Sequence, residues 1–385
     1  MAEDTRAPSD RRRAYLALVG LIRTVLPTKG PAMATESESP VGSEFDQTGG
    51  SGSSPSGSGW GFPALLWVLK LGPLFVLLVL LIVMSLSSPY FLTGRNIQNL
   101  GIQSSIVAVL ALGQLLVIIC RGIDISVGSV VGLSGVIGVT VAGASWAGGA
   151  TVLAAMVATG LAIGAVNAFF VVVGRIPMPL IVTLATLGIA RGMALLISGG
   201  HTSTGFPGII NTLGSGYVWV VPMPVVVVVA VTVFVFILTE RTRYGRWLYA
   251  VGGNPEAARR VGLPVNRIVA SAYMLCGVTA GIAGVLTAGR TDTGDPDAGN
   301  LLELDAITAV VIGGASLFGG RGSAPNVIVG ALILGTIRNG LDLIGVEPFW
   351  QTVAIGSAVL IALELDVMRG AIERRLRVRR SMEAE

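Results

Sequence analysis

CRGIDISVGSVVGLSG, residues 120–135, opens a run in which Asp124 is the sole charged side chain between Arg121 and Arg175. The carboxylate is followed by Gly128, Ser129, Gly132, Ser134 and Gly135, small residues that let backbones approach closely. Apolar blocks of roughly 20 residues recur on both sides, each long enough to cross a bilayer as a helix. Of the 385 residues, 52% are hydrophobic and 12% charged, and the mean hydropathy is +0.77. An ordinary soluble domain carries about 25% charged residues. The chain reads as an all-α polytopic membrane protein. A transmembrane β-barrel would show short alternating strands instead of continuous apolar runs.

Working outward from that stretch, candidate spans fall at about 62–86, 97–119, 122–143, 149–172, 178–198, 218–238, 268–289, 304–319, 325–344 and 349–366, about ten transmembrane helices in all. The 304–319 block is short and glycine-rich, the pattern of a broken or re-entrant element. GLAIG (160–164) and GVTAG (277–281) are GxxxG patterns that suit close helix packing.

Arginine placement sets the orientation. The loop 240–267 holds Arg241, Arg243, Arg246, Arg259, Arg260 and Arg267, and the basic tail 369–385 holds six more, with Arg175 and Arg321 marking short turns. Opposite loops carry Asp292, Asp295, Asp297, Glu303, Asp342 and Glu347. The positive-inside rule places the arginine side, with both N- and C-termini, in the cytoplasm.

Residues 1–59 form an extension to the transmembrane domain 60–368. GGSGSSPSGSGWG (49–61) is a flexible linker composition. RRRAYLALVGLIRTVLP (11–27) reads either as a short basic helix on an anionic membrane surface or as a dispensable tail, with Met33 a rival start. A cleaved signal peptide fits poorly, because Arg23 interrupts a short apolar core.

Several classes fall away on residue supply. The cysteines, Cys120 and Cys276, sit in apolar runs as small hydrophobes, and the one histidine is His201. No metal site, catalytic residue or nucleic-acid surface is expected from such a set. A phosphate-binding loop needs Gly-Lys before Ser or Thr. The two lysines, Lys29 and Lys70, precede Gly30 and Leu71. The chain does not hydrolyse ATP itself, and an ATP-driven role requires a partner.

Two stretches carry most of the functional signal. In GGNPEAARRVGLPVNR (252–267), Asn254 suits a helix N-cap, Pro255 the first turn, and Glu256 the positive end of the dipole. Ala257, Arg259 and Arg260 follow, and Gly262 stops the helix before Pro264. From these residues alone the segment is equally a docking helix or a solvated basic loop. In ELDAITAVVIGGASLFGGRGS (303–323), Glu303 and Asp305 stand at the outer edge of an apolar run, bordering a path or simply favouring a helix N-terminus.

GIDISVGSVVGLSG, VGGNPEAARRVGL, LDAITAVVIGGASLFGGRGS and GALILGTIRNGLDLIGV together resemble the membrane permease of ribose-type monosaccharide ABC importers, from about Ser87 to Asp366. That resemblance implies a homodimer in the bacterial cytoplasmic membrane, in contact with lipid, with about ten helices per chain. It implies a cytoplasmic ABC ATPase, which carries the ATP and Mg, and an extracytoplasmic sugar-binding protein that delivers substrate. It also implies that 252–264 is the helix seated in a cleft of the ATPase, with Asn254, Glu256, Ala257, Arg259, Arg260 and Gly262 as coupling residues. Family members often carry Thr-Ser-Gly or Thr-Gly-Gly where this chain has Cys120-Arg121-Gly122, and the long extension is also atypical.

Asp124 can now be given expected roles. An intramembrane carboxylate is costly and faces protein or water. It would accept backbone N–H bonds from Ser126 or Val127, or pair with Arg121 or another arginine at the gate; the structural role is favoured over sugar contact. Gln114, Asp124, Gly128, Ser129, Asn167, Arg191, Asp305 and Asn339 are the candidate pathway or gate residues, with Arg338 beside the last; interhelical hydrogen bonding is the alternative for each. Loops 200–217 and 292–303 are expected to receive the binding protein. The rival function is an ion-gradient-driven secondary transporter of a small polar solute, which would need several mid-membrane ionisable groups.

Overall fold

The computed structural model describes residues 61–347 apart from 175 and 177, together with 349–358, 360 and 364. The extension 1–59 and the basic tail lie outside the described residues, as do residues 359, 361–363, 365 and 366 of the last expected span. Helices α1 (Gly61–Ser87), α2 (Gly94–Ile119), α3 (Val127–Ala142), α4 (Gly149–Val172) and α5 (Pro179–Ser198) follow the chain order expected. A strand β1 (Ser203–Thr204), the short helix α6 (Gly208–Ser215) and a hairpin of β2 (Tyr217–Val218) and β3 (Val221–Pro222) lead into α7 (Met223–Phe236). After a π turn at Ile237–Arg241 come α8 (Arg243–Gly253), α9 (Pro255–Arg260) and α10 (Val265–Thr291). Strand β4 (Thr293–Gly294), α11 (Leu302–Ile312) and α12 (Ala324–Leu343) complete the labelled elements, and residues 349–358 are again helical.

Among the described residues six helices are long and apolar enough to cross a membrane: α2, α4, α5, α7 with its π turn, α10 and α12. The apolar part of α1 from Gly72 and the 16-residue α3 are shorter. Three expected edges shift. The third span starts as helix at Val127, because residues 120–126 form a turn. The sixth starts at Met223, after the hairpin. The expected 304–319 span is an 11-residue helix, about 16 Å at 1.5 Å per residue, roughly half the hydrocarbon thickness.

Helix α2 is the centre of the bundle. From Val109 to Ile119 its side chains, on every face, are all but sealed from solvent. Helix α10 crosses α4 where the two GxxxG patterns meet. A Cβ on Gly160 would lie 2.1 Å from the Gly277 carbonyl oxygen, and one on Gly277 would lie 2.2 Å from that of Gly160. Only hydrogen fits at this crossing, so the glycines fix how closely the helices approach.

The strands tie loops together at the end opposite the arginines. β1 pairs antiparallel with β4, matching Ser203 to Gly294 and Thr204 to Thr293. Asp292, in the left-handed region at φ 53°, closes α10 and accepts from the Phe206 N–H and the Asn211 side chain, each at 3.0 Å.

Candidate functional site

The 120–126 turn is held by side chains from three neighbouring helices. Asp124 Oδ1 accepts from the Ser126 backbone N–H at 2.9 Å and from the Ser126 hydroxyl at 2.6 Å. The Gln114 carboxamide on α2 lies against the Asp124 backbone, with its NH2 donating to the Asp124 carbonyl and its oxygen accepting from the Asp124 N–H, both at 3.0 Å. From α4, Asn167 Nδ2 donates to Asp124 Oδ2 at 3.1 Å and to Ser126 Oγ at 2.9 Å. From α5, Thr186 donates to Asn167 Oδ1 at 2.6 Å, and Thr183 donates to the Ile123 carbonyl at 3.2 Å. Gln114, Asp124, Ser126, Asn167, Thr183 and Thr186 are all buried. In this conformation Gln114, Asp124 and Asn167 face protein instead of lining an open path.

Arg121 takes no part in that network. The alternative Arg121–Asp124 pair does not form: Arg121 turns to the arginine end and donates from Nε to the Gly252 carbonyl at 2.6 Å and from Nη2 to the Gly253 carbonyl. These are the last carbonyls of α8, which lack partners within their own helix. Asp124, with three donors already, has no need of a second charge. Three turns meet at this point. The Gly320 N–H donates to the Ile119 carbonyl at 2.9 Å, and a Cβ on Gly252 would lie 1.8 Å from that same oxygen. Tyr249 donates to the Gly322 carbonyl at 2.7 Å. Burial, with the Glu240 carboxylate nearby, pushes the Tyr249 phenol up to about 12, so it remains a donor at neutral pH.

Helix α9 projects from this junction. Asn254 caps it, its Oδ1 accepting from the N–H groups of Glu256 at 3.1 Å and Ala257 at 3.0 Å. Pro255 holds the first turn, and Gly262, at φ 80°, ends the helix. Leu263 then donates its N–H to the Ala258 carbonyl at 3.0 Å and Gly262 to that of Arg259 at 3.0 Å, a left-handed C-terminal closure. Ala258 is buried, whereas Glu256, Ala257, Arg259 and Arg260 are exposed, and so is Val261 at the tip. Sequence reasoning missed Val261; an apolar residue just before a helix-stopping glycine was the available signal.

The segment after β4 runs back into the bundle along α3. A Cβ on Gly132 would lie 2.7 Å from the Pro296 carbonyl oxygen, and one on Gly128 would lie 2.5 Å from that of Gly299 and 1.9 Å from Glu303 Oε2. Gly128 and Gly132 thus admit the run of turns at 295–301, with Gly128 also beside the first turn of α11. Glu303 and Asp305 lie in the first turn of α11, Glu303 half-buried beside Gly128 and Asp305 buried. The Ser129 hydroxyl and Glu303 Oε2 are buried without a hydrogen-bond partner among the described residues.

The other candidates separate. Asp305 is buried and accepts from Arg338 Nη2 of α12 through both oxygens, at 3.3 and 3.1 Å. Arg191 of α5 donates to the Pro296 carbonyl at 2.5 Å and lies 3.8 Å from the exposed Asp297 carboxylate, anchoring the coil. Asn339 and Asn96 exchange side-chain bonds of 2.9 and 2.8 Å, tying α12 to α2.

A model of the family described as branched-chain amino acid transport system / permease component matches residues 96–363. The ribose import permease protein of Escherichia coli K12 is 38% identical over 304 residues, covering 78% of this chain and 94% of the relative. That of Bacillus subtilis strain 168 is 39% identical, covering 78% and 94%. The D-allose transport system permease protein of Escherichia coli K12 is 37% identical, covering 79% and 93%. No solved structure matches. With most of the membrane region matched and nearly the whole of each relative covered, the chain belongs to the branched-chain amino acid transport system / permease component family, among sugar permeases of ABC importers, and is a multi-pass transport component and not an enzyme.

Proposed function

We propose that this chain is the membrane subunit of an ATP-driven importer of a monosaccharide, of pentose or hexose type, working by alternating access. Its arginine end, with both termini, faces the cytoplasm, and a second copy completes the translocation path. Exposed α9 seats Ala257 and Val261 in a cleft of a cytoplasmic ATPase, with Glu256, Arg259 and Arg260 around them. ATP binding and release move α9, and an extracytoplasmic binding protein supplies the sugar. The unpartnered Ser129 hydroxyl and Glu303 oxygen, beside the glycine face of α3, are groups that sugar hydroxyls would satisfy as the site opens.

The observation that carries this reading is a short helix, capped at both ends and exposed on one face, on a chain that matches ribose and allose permease relatives over nearly their whole length. Such a helix has no role in an ion-driven carrier. The test is purification of the tagged chain from its host in mild detergent. An ABC ATPase is expected to accompany it and to be lost from a Glu256→Arg/Arg260→Glu variant that still folds. A stable chain without any ATPase would refute the proposal.

A further inference from the structure

We infer that Arg121 is a positioning residue that transmits movement of α9 to the buried Asp124 turn; this rests on the importer reading above. The side chain leaves the 120–126 turn and grips the final carbonyls of α8, Gly252 and Gly253, immediately before the Asn254 cap of α9. Its stem lies over the third turn, since a Cβ on Gly319 would fall 2.3 Å from Arg121 Cγ. Three residues further on, Asp124 is bonded to Ser126 and to Asn167 of α4, and Asn167 to Thr186 of α5. The turn is therefore held at both ends, by α8 on one side and by α4 and α5 on the other. A shift of α8 and α9 acts on α4 and α5 through this seven-residue turn.

The backbone at Arg121 argues that the side chain is there for a purpose other than folding. Its φ of 66° lies in the left-handed region, which disfavours residues with a Cβ and suits glycine. Arg121→Gly removes the grip and relieves the backbone at once, so it is a variant expected to fold as well as the parent. The guanidinium also binds neutral carbonyls here instead of a carboxylate. Its geometry as a two-point fork, more than its charge, is what the site uses.

The experiment uses the full chain with the ATPase that co-purifies with it and the host's extracytoplasmic sugar-binding protein, in the host membrane and in proteoliposomes, with radiolabelled ribose, allose and arabinose as probes. Sugar moved per ATP hydrolysed is measured for the parent, Arg121→Gly and Arg121→Gln, together with the melting temperature and ATPase recovery. Both variants are expected to retain the ATPase, Arg121→Gly at the parental melting temperature, while sugar per ATP falls about fivefold or more, the lower range of ordinary coupling energies. A ratio within about twofold of the parent in Arg121→Gly would overturn the inference and leave the importer reading intact. Loss of the ATPase from either variant would also overturn it, assigning Arg121 to docking. A parent that recovers no ATPase would refute the importer reading and the inference with it.

Discussion

Asn167 donates its side-chain amide to Asp124 Oδ2 at 3.1 Å, joining α4 to the turn between α2 and α3, and the Asn167 oxygen accepts from Thr186 of α5 at 2.6 Å. One amide thus spans two structural units, and neither of its ends reaches water. Removing it leaves a buried carboxylate oxygen and a buried hydroxyl short of partners. Asn167→Ala is expected to cost about 2 kcal/mol, seen as a lower melting temperature in detergent. Asp124→Ala should cost as much or more, and the double variant less than the sum, because both remove the same bond. Additive losses would show that the two residues act independently.

The sequence marked Asp124 as exceptional because no other charge lies within its apolar run, and the capping signals at Asn254 and Gly262 were read directly from residue type and spacing. What was not legible is which partners met. Thr183 and Thr186 are ordinary polar residues in an apolar helix, and nothing local announces that they face Ile123 and Asn167. The GxxxG patterns at 160–164 and 277–281 were visible singly, but their pairing is a tertiary fact. The coil 294–301 was hardest. Its Asp, Pro and Gly residues read as an outer loop, yet it enters the bundle because Gly128 and Gly132 leave room and Arg191 holds its carbonyls.

The Gly160–Gly277 crossing gives a sharper test of packing. A methyl group at either position would meet a backbone carbonyl oxygen at 2.1 or 2.2 Å, and backbone cannot rotate away as a side chain can. Gly160→Ala and Gly277→Ala are each expected to destabilise the chain by roughly 1–3 kcal/mol. Gly188, an exposed helical glycine with nothing within 4 Å of its would-be Cβ, is the control. Gly188→Ala should be neutral or slightly stabilising, since alanine is the better helix former. Thermal unfolding of the three purified variants separates these outcomes; equal effects at all three would mean that helix propensity, and not the close crossing, sets the response.

The Asp305–Arg338 pair bears on how the half-helix α11 is kept in register with α12. Asp305 lies in the first turn of α11, where a carboxylate is favoured by the helix dipole, and its side chain is 8% exposed against 39% for Arg338. The pair is therefore asymmetric: without Arg338 the aspartate is a buried charge lacking its partner, whereas without Asp305 the arginine is still partly exposed. Arg338→Gln is accordingly expected to be the more damaging change, by roughly 1–3 kcal/mol after allowance for the exposure of the arginine. Asp305→Asn, which keeps the shape and one acceptor, should cost less. The exchange Asp305→Arg/Arg338→Asp should recover only part of the loss, because it buries the larger side chain and places a positive charge at the positive end of α11. Melting temperatures of the three variants decide the matter, and an exchange as stable as the parent would show that the attraction alone, without its placement at the helix end, is what holds α11.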